Sequence, residues 1–317
     1  MYRSIDNRVM TLDERIEKDL TELYNYGEIV SAHDLSIKMF GSHDGFSAYG
    51  KPGHFAGNRN AKTVMVMLNP GKDVATANNP IKTHSLLCDL DIKTNTLKDF
   101  IRTYKEASMN FGEKDFDKAI NPNKYIEKYC LDNFDIKQAA FLKHWEGCEV
   151  KILDPFPTKD DKDKRQIVKK DVLMDKLQLE LVPYASRTFE VKDEKLELLF
   201  PFVETLFDEI FRKDDRKYVI FCSDYFKKLF ERYSKDDRYP GWIKIDQTET
   251  DPSILKNGVS CTPIRIYRNG KEKCPEDVPS LKAVIAHTFP NQALPNAYDL
   301  MIDYGEFCYK TFINSKI

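Results

Sequence analysis

The sequence predicts an α/β fold: a three-layer sandwich around a central, largely parallel four-stranded sheet, with a helical insertion. Three observations lead there. Four short apolar runs, VMVML (64–68), LELVP (179–183), YVIFC (218–222) and AVIAH (283–287), have the length of buried strands rather than helices. Segments of helical periodicity separate them, the order that builds a parallel sheet. The chain of 317 residues shows no internal repeat and no low-complexity linker, so it reads as one domain over 1–317.

The elements follow in order. TLDERIEKDLTELYNYG (11–27) is a helix: Leu12, Ile16, Leu20 and Leu23 recur at helical spacing. Thr11 and Glu14 make a capping-box pattern at its start, and Gly27 ends it. GSHDGFSAYGKPGHFAGNRN (41–60) holds five of the thirteen glycines and reads as loop. AKTVMVML then forms a strand stopped by Asn-Pro-Gly. A helical insertion is expected over about 83–175, from the periodicity of SLLCDLDIKTNTLKDFIRTYKEA and KYIEKYCLDNFDIKQAAFLKHW, with a solvated charged stretch, PFPTKDDKDKRQIVKKD, inside it. KLQLELVPYAS is a strand ending at Pro183. EKLELLFPFVETLFDEIFRK is an amphipathic helix with a kink expected at Pro201. KYVIFCS and DYFKKLFERYSK are the next strand and helix. VSCTPIRIYRNGKEKC reads as a hairpin turning at Asn269–Gly270. SLKAVIAHTFP is the last strand, and PNAYDLMIDYGEFCYKTFI, with Pro295 near its start, the last helix.

Bulk properties narrow the function classes. A formal charge of −2 and a pI near 6.3 argue against a general polyanion binder but leave room for a local basic cleft. Seven cysteines with no C-x-x-C exclude a zinc knuckle and fit reduced thiols in a cytoplasmic protein. The opening MYRSIDNRVMTLDERIEKD has no apolar core of a signal peptide, and no apolar run approaches the ~18 residues of a membrane span. No phosphate-binding or dinucleotide-binding glycine motif and no G-x-S-x-G elbow occurs. His43, Asp44 and His54 sit in the glycine-rich loop at a spacing that fits no regular metal motif, so neither a metal nor another cofactor is expected.

In open α/β sheets, ligands bind beyond the carboxyl ends of the strands. The tails of the four strands therefore hold the candidate site: Asn69-Pro70-Gly71, Pro183-Tyr184-Ala185-Ser186, Cys222-Ser223-Asp224 and His287-Thr288-Phe289-Pro290-Asn291. Cys222 and Ser223 are nucleophile types, but no partner His is evident from spacing. Ser223 or Asp224 is also placed to cap the helix that follows.

These tails carry a resemblance. The strand ending L-N-P-G resembles the first active-site motif of the mismatch-specific branch of the uracil-DNA glycosylase superfamily, typically written G-I-N-P-G. The late strand ending in His287, followed by a short polar loop opening a helix, is similar to that superfamily's second motif, whose H-P-S form carries a catalytic His. Met67 stands where the first motif opens on Gly, and the second motif here reads H-T-F-P-N-Q. The resemblance implies hydrolysis of the N-glycosidic bond of a damaged or mismatched base, with DNA as partner. It implies that Asn69 orients the attacking water, that Pro70 and Gly71 shape the loop beside the extruded nucleotide, that His287 lies near the base carbonyl, and that Thr288 to Asn291 face DNA.

The residue types suit that chemistry. A base must leave its stack, a water must be held at the sugar carbon, and the charge growing on the leaving base must meet donors. An amide both accepts and donates, and a neutral imidazole donates. Tyr184 and Phe289 are aromatic faces for the base, with Ser186 and Asn291 as polar neighbours. Lys72 is placed for a phosphate, and Asp73 is the nearest carboxylate after the first motif. Lys72, Lys82, Arg187 and Arg265 are candidates to line a positive groove. Two rivals use the same strand-end cleft: a module that keeps the fold and binds nucleic acid, nucleotide or protein without turnover, and a hydrolase of small nucleosides or phosphates. A DNA enzyme would bind with steep salt dependence, a small-molecule enzyme would show a closed pocket, and a protein-binding module an exposed apolar patch.

Overall fold

The structure, a computed structural model, describes residues 9–69, 96–109, 133–146, 176–186, 189–235, 253–254, 259–267, 279–287 and 298–315. Two compact units emerge. The first comprises Met1–His54, Asn69–Arg102 and Glu180–Asp214; the second comprises Phe55–Leu68, Thr103–Leu179 and Asp215–Ile317.

The second unit carries the sheet, apart from Glu180 at the end of one strand. Its strands are β1 (Phe55–Gly57), β2 (Thr63–Met67), β3 (Lys176–Glu180), β4 (Tyr218–Phe221), β5 (Ser253–Ile254), β6 (Ser260–Tyr267) and β7 (Ser280–Ala286), in the spatial order β1-β3-β2-β4-β7-β6-β5. β2 pairs with β4 and β4 with β7 in parallel, whereas β1–β3, β5–β6 and β6–β7 are antiparallel. The fold is thus α/β with a mixed, seven-stranded sheet, and the expected largely parallel four-stranded sheet is corrected. The four apolar runs do form adjacent strands, β3-β2-β4-β7, but antiparallel strands extend them on both sides.

Every residue of β2 and β4 is buried, as expected of strands covered on both faces. Alternation decides which residue meets which layer. Met65, Met67, Tyr218, Ile220, Cys222, Val284 and Ala286 join one core with Phe141, Leu142 and Trp145, at and just after the end of one helix (Asn133–Leu142), and with Met301, Tyr304 and Cys308 of the last helix (Tyr298–Asn314). Phe221 is out of phase with them. Its ring lies 5.1 Å from Phe226 and 4.8 Å from Phe230 on the helix Tyr225–Ser234. Gly305 is required by a close approach: a Cβ there would run into the backbone carbonyl of Phe141.

Helices among the described residues are α1 (Leu12–Tyr26), α2 (Val30–Phe40), α3 (Leu97–Met109), α4 (Asn133–Leu142), α5 (Phe200–Phe211), α6 (Tyr225–Ser234) and α7 (Tyr298–Asn314). α1, in the first unit, shows both halves of the capping box at Thr11 and Glu14, and Gly27 closes it at φ 74°. Arg15 on α1 donates to Thr205 Oγ1 and to the Pro201 carbonyl of α5, and its guanidinium sits 4.3 Å over the Phe202 ring. That contact joins α1 to α5 by charge-assisted and cation–π terms together.

Several expectations change. α2, and β1 within the glycine-rich segment, were not read from the sequence. β3 stops at Glu180 rather than Pro183. Pro201 does not kink a helix: it occupies the first turn of α5 after a 3-10 segment, Asp193–Leu199, where its missing N–H costs nothing. β6 pairs with β7 from Cys261–Ala286 to Tyr267–Ser280, so residues 268–279 connect them and a two-residue turn does not. Asn269, Gly270 and Pro295 lie outside the described residues, as does much of the expected insertion.

Candidate functional site

β2, β4 and β7 run parallel, so their carboxyl ends share one edge of the sheet. In the second unit Leu68, half-buried, follows β2 there; Cys222, Ser223 and Asp224 follow β4; His287 follows β7. Asn69, also half-buried, is the next residue of the chain after Leu68 and belongs to the first unit. Pro70, Gly71, Lys72, Asp73, Phe289 and Asn291 lie outside the described residues, as do Lys82 and Arg187. Arg265 is half-buried on β6 and donates to Ser280 Oγ.

In the first unit, Asn69 is brought together with Ser186 and Tyr184. Its Nδ2 donates to Ser186 Oγ at 2.7 Å and to the Tyr184 carbonyl at 3.3 Å. These two bonds identify the nitrogen end of the amide. The receiving segment is itself pinned. Gly53 N–H donates to the Pro183 carbonyl at 2.7 Å and Ser47 N–H to the Ala185 carbonyl at 2.8 Å. The glycine-rich loop therefore brackets the tail of β3 and leaves the carbonyl between those two for Asn69.

The Tyr184 side chain takes a different course. Sequence reading offers its ring as a stacking face, but only 1% of the residue is exposed, and the ring sits edge-on to Phe46 and Phe202. A base cannot stack on it; that expectation is corrected by the packing. Its hydroxyl donates to Asp19 Oδ1 at 3.1 Å, and Asp19 Oδ2 lies 3.1 Å from His54 Nε2. Burial first, and then the charge of Asp19, push the Tyr184 phenol well above its ordinary range. Burial lowers the Arg15 guanidinium, with Tyr184, Asp19 and Glu204 opposing. Sequence reading missed this Asp19–His54–Tyr184 centre. The available signal was Asp19 itself, a carboxylate on the face of α1 that also carries Ile16, Leu20 and Leu23.

In the second unit, His287 has both ring nitrogens engaged. Nδ1 is 3.1 Å from Ser260 Oγ and Nε2 is 2.9 Å from Thr262 Oγ1. Its backbone N–H donates to the Ser260 carbonyl, which also accepts from Tyr304 Oη at 2.8 Å, and its own carbonyl accepts from Asp224 N–H. Burial lowers the imidazole pKa below its ordinary value; Asp224 opposes that and Lys227 adds to it. Ser260 and Thr262 were not read as site residues, because only the antiparallel register of β6 on β7 brings them to His287.

Ser223 Oγ accepts from Tyr225 N–H at 3.2 Å at the start of α6, whereas the side chain of the N-cap residue Asp224 makes no capping bond. Cys222, Cys261 and Cys308 are buried free thiols. The Cys308 thiol is raised, first by burial and then by its contact with Cys261, while Cys261 is lowered by the same contact. Among the described residues no group of three His, Cys, Asp or Glu is arranged to hold a metal ion. His43 packs its ring at 5.2 Å from His33. No helix among the described residues is long and apolar enough to cross a membrane. Comparison with family models, with curated proteins and with solved structures finds no match for this chain.

Proposed function

We propose that the protein hydrolyses the N-glycosidic bond of a damaged or mismatched base in DNA, the activity implied by the L-N-P-G and late-His resemblance. The observation that carries this reading is the setting of Asn69. Its amide nitrogen is held by Ser186 Oγ and the Tyr184 carbonyl immediately beyond a buried parallel strand. An amide both donates and accepts, the two roles that holding a water at a sugar carbon draws on. His287 is assigned to the leaving base, as a neutral donor made so by burial.

The alternative is a module on the same fold that binds a nucleic acid, nucleotide or protein without turnover. One observation favours it: both ring nitrogens of His287 are already bonded within the chain. The two readings part on one experiment. The full chain is incubated with single- and double-stranded oligonucleotides carrying uracil, a thymine mismatch or hypoxanthine, and abasic products are cleaved and resolved. Product from the wild type and its loss in Asn69→Ala supports the hydrolase. A blank on every substrate, with binding that weakens steeply as salt rises, supports a nucleic-acid-binding module instead.

A further inference from the structure

Ser260 and Thr262 sit two apart on β6, so their side chains project from the same face of the strand. His287 follows the last residue of β7, and Cys261 pairs with Ala286, which sets the imidazole beside that face. The result is a ring held between two hydroxyls, one at each nitrogen, at 3.1 and 2.9 Å. The backbone repeats the hold: His287 N–H donates to the carbonyl of Ser260, and that carbonyl is fixed from the other side by Tyr304 Oη of α7.

An imidazole beside a serine also suggests a nucleophile and its base. Two local amides argue otherwise. Asp224 N–H is committed to the His287 carbonyl and Tyr225 N–H to Ser223 Oγ. Neither is left to hold an oxyanion, which acyl transfer through Ser260 would need. The arrangement serves the ring instead. A hydroxyl both donates and accepts, so one of the pair can give its proton to the bare nitrogen while the other accepts from the protonated one. Such a chain favours one neutral tautomer, since each bond polarises the next.

We infer that Ser260 and Thr262 are positioning residues that clamp the His287 imidazole in one orientation and one neutral tautomer. Thr262 is buried and Ser260 half-buried, so Thr262 is the inner anchor and Ser260 the outer one. The charged groups that act on the ring, Asp224 and Lys227, come from α6 and its start and have opposite signs, so neither alone fixes its protonation. The clamp's part in turnover rests on the hydrolase reading above; the clamp itself does not.

The test is nitrogen NMR of the full chain labelled in histidine, with the His287 ring signals identified by their disappearance in His287→Asn. Wild-type protein at pH 7.5 is expected to show one nitrogen at the protonated position and the other at the bare position. In Thr262→Val and in Ser260→Ala both signals move toward a common averaged position. Where a base-bearing oligonucleotide is turned over, both variants lower kcat by up to about a hundredfold with KM unchanged. Ring signals in both variants identical to wild type overturn the inference. If Thr262→Val fails to fold, Ser260→Ala, at a half-buried position, carries the same readout. A clamped ring in a chain that yields no glycosidic product upholds the clamp and removes the hydrolase reading.

Discussion

The two units each hold a histidine in a polar cluster, and the clusters differ in kind. His54 is sealed: its side chain and that of Asp19 are each 1% exposed, and the partner of the imidazole is a carboxylate that also takes the Tyr184 hydroxyl. His287 stands half-buried at a strand end, held between two uncharged hydroxyls. A carboxylate partner locks an imidazole to one role, and full burial removes it from any ligand. Hydroxyl partners hold the ring without adding a charge, and a strand end leaves it half-buried. Burial and partner type, more than the presence of a histidine, separate a staple from a candidate for chemistry.

Asp19→Ala should be the most damaging single change. It removes the buried carboxylate that faces His54 Nε2 and accepts from the Tyr184 hydroxyl, and breaking one side of a buried polar contact of this kind costs about 3–5 kcal/mol. Urea unfolding reads it directly. A loss under about 1 kcal/mol would show that water or repacking replaces the carboxylate and would dissolve the contrast with His287. Tyr184→Phe keeps the ring packing against Phe46 and Phe202 and removes only the hydroxyl, so about 1–2 kcal/mol is expected by the same measurement.

The His287 cluster should register in pH dependence instead. Its folded-state pKa is depressed by burial, so between that value and the ordinary ~6.5 the unfolded chain binds the proton and the folded chain does not. The stabilising contribution is therefore complete above about pH 6.5 and declines as the pH falls below it. Unfolding free energy compared between pH 7.5 and 5.5 should drop more for the wild type than for His287→Asn. Equal drops would place the acid sensitivity elsewhere. The smallest stability effect is expected for Asn69→Ala. Asn69 is half-buried and donates to the neutral Ser186 hydroxyl and Tyr184 carbonyl, so a loss of about 1 kcal/mol is expected, and on the hydrolase reading no glycosidic product.

How much of this was legible in the chain depended on what carried the signal. α1 announced itself through Thr11, Glu14 and Gly27 because caps act over three or four residues. β2 and β4 were legible because burial on both faces demands unbroken apolar runs. β1 was not: Phe55–Gly57 is held by backbone pairing to β3, and three residues inside a glycine-rich loop leave no pattern. Of the site, Asn69 and His287 were readable as strand tails. Asp19 and Thr262 were not assigned, since their partners Tyr184 and His287 lie 165 and 25 residues away and meet them only through tertiary register.

The sheet's outermost strands are also its shortest among the described residues, three residues in β1 and two in β5. The outermost strands themselves thus offer a foreign polypeptide only two or three residues of regular backbone to pair with. Short outermost strands of this kind give a second copy little regular backbone to extend in concentrated solution.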